Sequence, residues 1–160
     1  MPRFLIVVPP LVGHINPAVG VAAELRRRGH TVAWAGLPEI VERLAGPNAQ
    51  IFPCAVPLNG SGDLIQRPPT LRGLAALRHL WEEYLIPLGE VMAPGVLAAI
   101  EQFRPDVLIV DQHTVAGALV AERLGIPWVT SASNVARYCN SRPSDSSNIS
   151  TRPRPNAFAR

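Results

Sequence analysis

Five consecutive apolar residues, Phe4-Leu5-Ile6-Val7-Val8, closed by Pro9-Pro10, constrain the fold of this chain more than any other feature. A short run with no polar alternation has no face to offer to water. It predicts a strand covered on both sides, the condition of strands in parallel sheets. Downstream, Asn16 is placed to N-cap a helix with Pro17 in its first turn. The helix continues through Ala18–Leu25 and gathers Arg26-Arg27-Arg28 at its carboxyl end, where cations complement the dipole. Gly29 stops it. The arginine triplet reads as solvated helix-end charge rather than a phosphate site. Thr31–Ala35 predicts a second strand, so the chain opens with a β-α-β unit.

The pattern continues in the same sense. Pro38–Leu44 predicts a short helix ending at Gly46-Pro47, and Gln50–Phe52 a third strand. Residues 54–69, with Pro57, Asn59-Gly60-Ser61-Gly62 and Pro68-Pro69, read as a loop of a length that is functional or mobile. From Thr70 to about Phe103, apolar residues at 71, 74, 77, 81, 84, 85, 88, 91 and 92 follow a helical period. Pro87 and Pro94 should kink or split that stretch. Val107–Val110 predicts a strand, Thr114–Leu124 a helix stopped by Gly125, and Pro127–Ser131 another strand. Strands alternating with helices imply right-handed crossovers and a doubly wound, mainly parallel α/β sheet of Rossmann type. Residues 1–138 are expected to form that domain. Residues 139–160, rich in Ser, Pro and Arg without a hydrophobic period, are expected to be a disordered tail.

Charge and composition exclude several functions. The net charge is +3, but residues 1–137 carry eleven arginines and eleven acids, so the excess lies in the last stretch. A neutral body is not the basic surface of a nucleic-acid-binding domain. Lysine is absent, which removes the P-loop lysine and Schiff-base chemistry. No G-x-G-x-x-G follows the first strand, and no G-x-S-x-G elbow occurs. The histidines at 14, 30, 79 and 113 and the cysteines at 54 and 139 show no metal-ligand spacing, and Asp-x-Asp is absent. No metal or tightly held cofactor is expected. The apolar start is broken by Pro9-Pro10 and lacks a cleavage site, and no transmembrane segment is expected. Reduced thiols and a cytoplasmic location follow as expectations.

Two residues carry the candidate chemistry. His14 follows the first strand at a helix start, whose partial positive charge disfavours imidazolium. A general base must be neutral before it acts. Asp111 follows Val107–Val110 in the same way. In the doubly wound order, strands 1 and 4 are neighbours across the switch point, so the two side chains would emerge side by side. A carboxylate on one ring nitrogen would fix the tautomer and support the imidazolium that forms. A solvated loop histidine and a helix-capping aspartate are the blander readings. His113 is an alternative partner or base. Trp81 and Tyr84 read as core residues of the long helix.

Phe4 to Trp34, with Gly13-His14-Ile15-Asn16-Pro17 and Glu24-Leu25-Arg26-Arg27-Arg28-Gly29-His30-Thr31-Val32, resembles the amino-terminal domain of GT-B glycosyltransferases. It is most similar to bacterial macrolide and carotenoid glucosyltransferases of the UDP-glycosyltransferase superfamily. Pro105-Asp106-Val107-Leu108-Ile109-Val110-Asp111 and Leu124-Gly125-Ile126-Pro127-Trp128-Val129 match a second landmark. The resemblance covers about residues 3–135.

It implies an inverting transfer of a hexose from a nucleotide sugar, such as UDP-glucose, to a small lipophilic or phenolic acceptor. His14 would be the base and Asp111 its partner. The acceptor pocket would draw on residues 54–69, on Trp81, Tyr84 and Leu88, and on Ser131 and Asn134. The nucleotide sugar is a co-substrate that such enzymes bind on a second domain, whose His-x-Gly signature and acidic pair do not occur in these 160 residues. The expectation is therefore a truncated or frameshifted product, inactive alone. Alternatives are one subunit of a two-polypeptide transferase, or a non-catalytic aglycone-binding module.

Overall fold

The structure, a computed structural model, describes residues 1–54 and 72–133. The expected tail, most of the 54–69 loop, Asn134 and Cys139 lie outside these residues. The described elements are β1 (Arg3–Val7), α1 (Val12–Arg27), β2 (Thr31–Gly36), α2 (Pro38–Ala45) and β3 (Gln50–Pro53). They continue with α3 (Gly73–Leu80), a π-helical turn (Trp81–Leu85), α4 (Ile86–Phe103), β4 (Val107–Asp111), α5 (Val115–Leu124) and β5 (Trp128–Ser131).

The five strands form one parallel sheet in the order β3-β2-β1-β4-β5. The chain winds outward from β1 to β3, then crosses back to place β4 on the other side of β1. This is the doubly wound α/β architecture expected from the alternation of elements, with the switch point between β1 and β4.

Strand alternation divides the core into two layers. Leu5, Val7, Ala33, Ala35, Leu108 and Val110 face α4 and α5, whose Leu88, Met92, Val96, Phe103, Ala116 and Ala121 complete that layer. Ile6, Val8, Val32, Trp34 and Ile109 pack with Ile15, Ala18, Ala22 and Val41 of α1 and α2. The opening apolar run is thus buried on both sides, as its composition demands.

Two local expectations need correction. Helix α1 begins at Val12, not after Asn16, so His14 lies in its first turn and Pro17 in its second. The turn that starts it is made upstream, where the Leu11 N–H donates to the Pro9 carbonyl at 2.7 Å and the Ile15 N–H to Leu11 at 3.1 Å. Pro17 costs the helix only the bond to the exposed Gly13 carbonyl. The expectation that the prolines kink or split the long helical stretch is met only by a local interruption before Pro87, while Pro94 lies inside α4 without ending it. A π-helical turn ends two residues before Pro87 and includes Glu83, whose carbonyl the ring would strike in a regular helix.

The run Gly73–Phe103 is long and apolar enough to cross a membrane by length and composition alone. In this fold its Leu88, Met92, Val96 and Phe103 face is spent on the sheet. Gly95 allows that approach, since a Cβ there would stand 2.5 Å from Cys54 Cα. Cys54 is buried with a free thiol, pushed up to about 12 by burial.

Candidate active site

The carboxyl ends of β1, β4 and β5 lie side by side, and each contributes to one polar cluster. β1 leads into Pro9-Pro10 and the first turn of α1, which carries His14. β4 ends on Asp111, paired in register with Ser131 of β5. The chain then turns tightly. The backbone N–H of His113 donates to Asp111 Oδ1 at 2.9 Å, an Asx turn that fixes the carboxylate. The Thr114 N–H and hydroxyl both reach the Asp111 carbonyl, at 2.9 and 2.8 Å. Gly117 lets α5 sit close above, because a Cβ there would meet Val110 Cγ1 at 2.8 Å and Val7 Cγ1 at 3.2 Å.

His14 and Asp111 meet across 97 residues of sequence. His14 Nδ1 stands 3.0 Å from Oδ1 and 3.1 Å from Oδ2, with His14 8% and Asp111 2% exposed. Ser133 Oγ donates to Asp111 Oδ2 at 2.8 Å and lies 2.7 Å from His14 Nδ1. His113 Nδ1 is 3.1 Å from His14 Nε2, with the rings tilted by 49°. Burial alone would raise the Asp111 carboxyl. The bonds from His14, the His113 backbone and Ser133 outweigh it and hold the group below its ordinary value. The His113 imidazole is lowered, first by burial and then by the nearby His14.

The geometry discriminates between chemistries. Ser133 and Asp111 share one nitrogen of His14, so the three do not form a nucleophilic triad, which needs serine and carboxylate on opposite nitrogens. His14, Asp111 and His113 each place a donor atom within 4.8 Å of the others, close enough for a metal ion. Both Asp111 oxygens are already engaged by N–H and O–H donors, however, and the two imidazoles are turned on each other. What remains is a buried carboxylate–imidazole pair at a switch point, an arrangement suited to accepting a proton.

The other expected site residues fall in different places. Ser131 closes β5 beside Asp111. Trp81 is 44% exposed on the π-helical turn. Tyr84 and Leu88 are core residues, 4% and 0% exposed, because the turn directs them onto the sheet; Leu88 has no surface left for a ligand. Next to them, Leu85, Ile86, Gly89, Ala93, Val115 and Leu119 line an apolar groove of about 280 Å³ between α4 and α5. The groove reaches Val115, the residue after Thr114. Sequence reasoning missed Ser133. Its signal was a serine two residues past the end of a strand adjacent to β4.

No family model matches the chain. It is similar to 4'-demethylrebeccamycin synthase of Lentzea aerocolonigenes, with 30% identity over 149 residues, 81% of this chain and 32% of that protein. Zeaxanthin glucosyltransferase of Pseudescherichia vulneris is 33% identical over 132 residues, 82% of this chain and 31% of its own. Among solved structures, the glycosyltransferase SsfS6 of Streptomyces sp. SF2575 superposes with a TM-score of 0.68 at 25% identity. It covers 81% of this chain and 39% of that one. The same enzyme is known in complex with thymidine diphosphate. The chain is thus a homologue of bacterial glycosyltransferases and spans about a third of the length of the relatives it matches. Its sheet is one Rossmann-like half of the GT-B fold.

Proposed function

We propose that this chain supplies the acceptor site and the base of an inverting, nucleotide-sugar-dependent glycosyltransferase that transfers a hexose to a hydroxyl of a small lipophilic acceptor. The observation that carries this reading is the buried contact of His14 Nδ1 with the Asp111 carboxylate at 3.0 Å, at the β1–β4 switch point. With its Nδ1 hydrogen directed at Asp111, His14 keeps on Nε2 the lone pair on which the acceptor's proton charge ends. The acceptor hydroxyl gives up its proton as its oxygen attacks the anomeric carbon, and the nucleoside diphosphate leaves from the opposite face. Asp111 offsets the positive charge that forms on the imidazole.

The apolar groove between α4 and α5 suits a lipophilic aglycone. Trp81, Ser131 and Asn134 are its proposed polar and aromatic contacts, while Tyr84 and Leu88 support the wall from the core. The nucleotide sugar is assigned to a second domain or a separate chain. Holding both reactants together is worth roughly 7–11 kcal/mol when fully realised, so these residues alone should transfer sugar negligibly. A cytoplasmic site of action belongs to the same proposal, because activated sugar nucleotides are made there.

The test fuses residues 1–135 to a donor domain of a relative and assays transfer from UDP-glucose and TDP-glucose to phenolic and macrolide acceptors. His14→Ala should lower kcat by about 10²–10⁴-fold, the usual range for a general base. Transfer indifferent to His14 would remove the base. Normal transfer by these 160 residues unaided would remove the assignment of the donor site to another domain or chain.

A further inference from the structure

We propose that the atom with which this site takes a proton is Nε2 of His113, and that His14 stores the proton behind it. The direction of the relay rests on the glycosyl-transfer reading, whereas the hydrogen-bond chain stands on geometry alone. An ionised carboxylate only accepts, and both Asp111 oxygens lie within 3.1 Å of His14 Nδ1. Ser133 spends its hydroxyl hydrogen on Asp111 Oδ2, so toward His14 it too accepts. His14 Nδ1 therefore carries the hydrogen and Nε2 the lone pair. His113 Nδ1 stands 3.1 Å from that lone pair. Two lone pairs would repel at this distance, so His113 Nδ1 is the donor and its Nε2 is left basic.

Position supports the same order. His14 is 8% exposed, and its Nε2 is covered by the His113 ring, with centroids 4.4 Å apart. His113 is only partly buried, so solvent or a bound hydroxyl meets it first. Its backbone N–H is tied to Asp111 Oδ1, which anchors the ring's attachment to the same carboxylate that orients His14. Burial and His14 also keep the His113 imidazole neutral, as a waiting base must be.

The step balances. The acceptor O–H proton moves to His113 Nε2, and the His113 Nδ1 proton moves to His14 Nε2. The freed oxygen pair bonds to the anomeric carbon, while the pair of the breaking carbon–oxygen bond leaves on the nucleoside diphosphate. The positive charge ends on His14, against Asp111, rather than at the surface. The acceptor hydroxyl accordingly sits one imidazole further from β1 than direct contact with His14 would require.

Long-range ¹H–¹⁵N spectra of the ¹⁵N-labelled full chain at pH 8 read the tautomers directly. Nδ1–H on both His14 and His113 is expected; Nε2–H on either ring would overturn the relay. A second measurement uses the full chain supplied with a relative's donor domain. His113→Ala should lower kcat by about 10²-fold with little change in the acceptor KM, and added imidazole should restore part of it. His113→Phe, which fills the space without a proton site, should stay low. An unchanged kcat in His113→Ala would overturn the proposal. If the wild-type combination transfers no sugar, the glycosyl-transfer reading fails, and the nitrogen spectra still decide the relay.

Discussion

Buried polar groups at the carboxyl ends of the strands differ from those deeper in the fold. At the strand ends, His14, Asp111 and Thr114 are all buried, and each has partners. Further in, Trp34 Nε1 and the Tyr84 hydroxyl are buried with none among the described residues. The cause is topological. Within the sheet, backbone N–H and C=O groups pair with each other, and the side chains above them are mostly apolar, so a buried polar atom such as the Trp34 indole N–H finds few acceptors. At a strand end the backbone turns, and a turn frees N–H groups and carbonyls for side chains to use. A polar cluster can be built there at little cost, and in doubly wound sheets the switch point is where a ligand fits as well.

The largest effect expected from breaking this contrast comes from Asp111→Ala. It removes the acceptor for the His14 ring, the His113 backbone and the Ser133 hydroxyl at once. Leaving buried donors without partners costs about 1–3 kcal/mol each, so a loss of about 3 kcal/mol is expected in urea unfolding of the chain. A loss below about 1 kcal/mol would mean that the carboxylate is not the hub of the cluster. Gly117→Ala should cost somewhat less, about 1–3 kcal/mol, because its Cβ would press on Val110 and Val7 and lift the start of α5 away from the cluster. Wild-type stability in that variant would show that α5 has room to move.

Acidification separates the two histidine-linked groups. The folded protein holds both the Asp111 carboxyl and the His113 imidazole below their ordinary values of 3.8 and 6.5. Between each ordinary value and its lowered folded value, the unfolded chain binds more protons, so stability falls as pH falls. The His113 share is complete above pH 6.5 and is lost as pH drops through the folded value; the Asp111 share is lost in the same way below about pH 3.8. In pH-dependent unfolding, His113→Gln should flatten the upper window alone, and Asp111→Asn the lower window most. A histidine variant that leaves the upper window intact would remove His113 as its source.

The sheet was legible because its central strands β1 and β4 are built on apolar runs beside Pro9-Pro10 and Pro105, a signal that needs no tertiary context. The adjacency of His14 and Asp111 followed from strand order, since both residues sit at strand ends and the doubly wound order makes those ends neighbours. Less was visible where packing decides. Pro17 suggested a later helix start because a proline is best placed in the first turn, whereas the turn after Pro9-Pro10 starts α1 a full turn earlier. The family resemblance put Leu88 in the acceptor pocket, whereas the helical period that groups it with Tyr84, Leu85 and Met92 marks the face that meets the sheet. Ser133 meets Asp111 and His14 because β5 pairs with β4 so that Ser131 lies beside Asp111, a long-range register that local sequence does not encode.

The smallest expected effect sharpens the other side of the comparison. The Tyr84 hydroxyl is pushed up to about 12, first by burial and then by the charge of Asp111, so it remains a protonated donor close to the cluster without belonging to it. Removing an unpartnered buried hydroxyl relieves its desolvation cost, and Tyr84→Phe should raise stability by up to about 1 kcal/mol. The decisive measurement is the double-mutant cycle with Asp111→Asn. Groups that do not bond should couple by less than about 0.5 kcal/mol. A larger coupling, with Tyr84→Phe destabilising, would mean that the phenol reaches Asp111 through an intervening water. The cluster would then extend from the strand ends down into the π-helical turn, and the division between paired and orphaned polar groups would disappear at this residue.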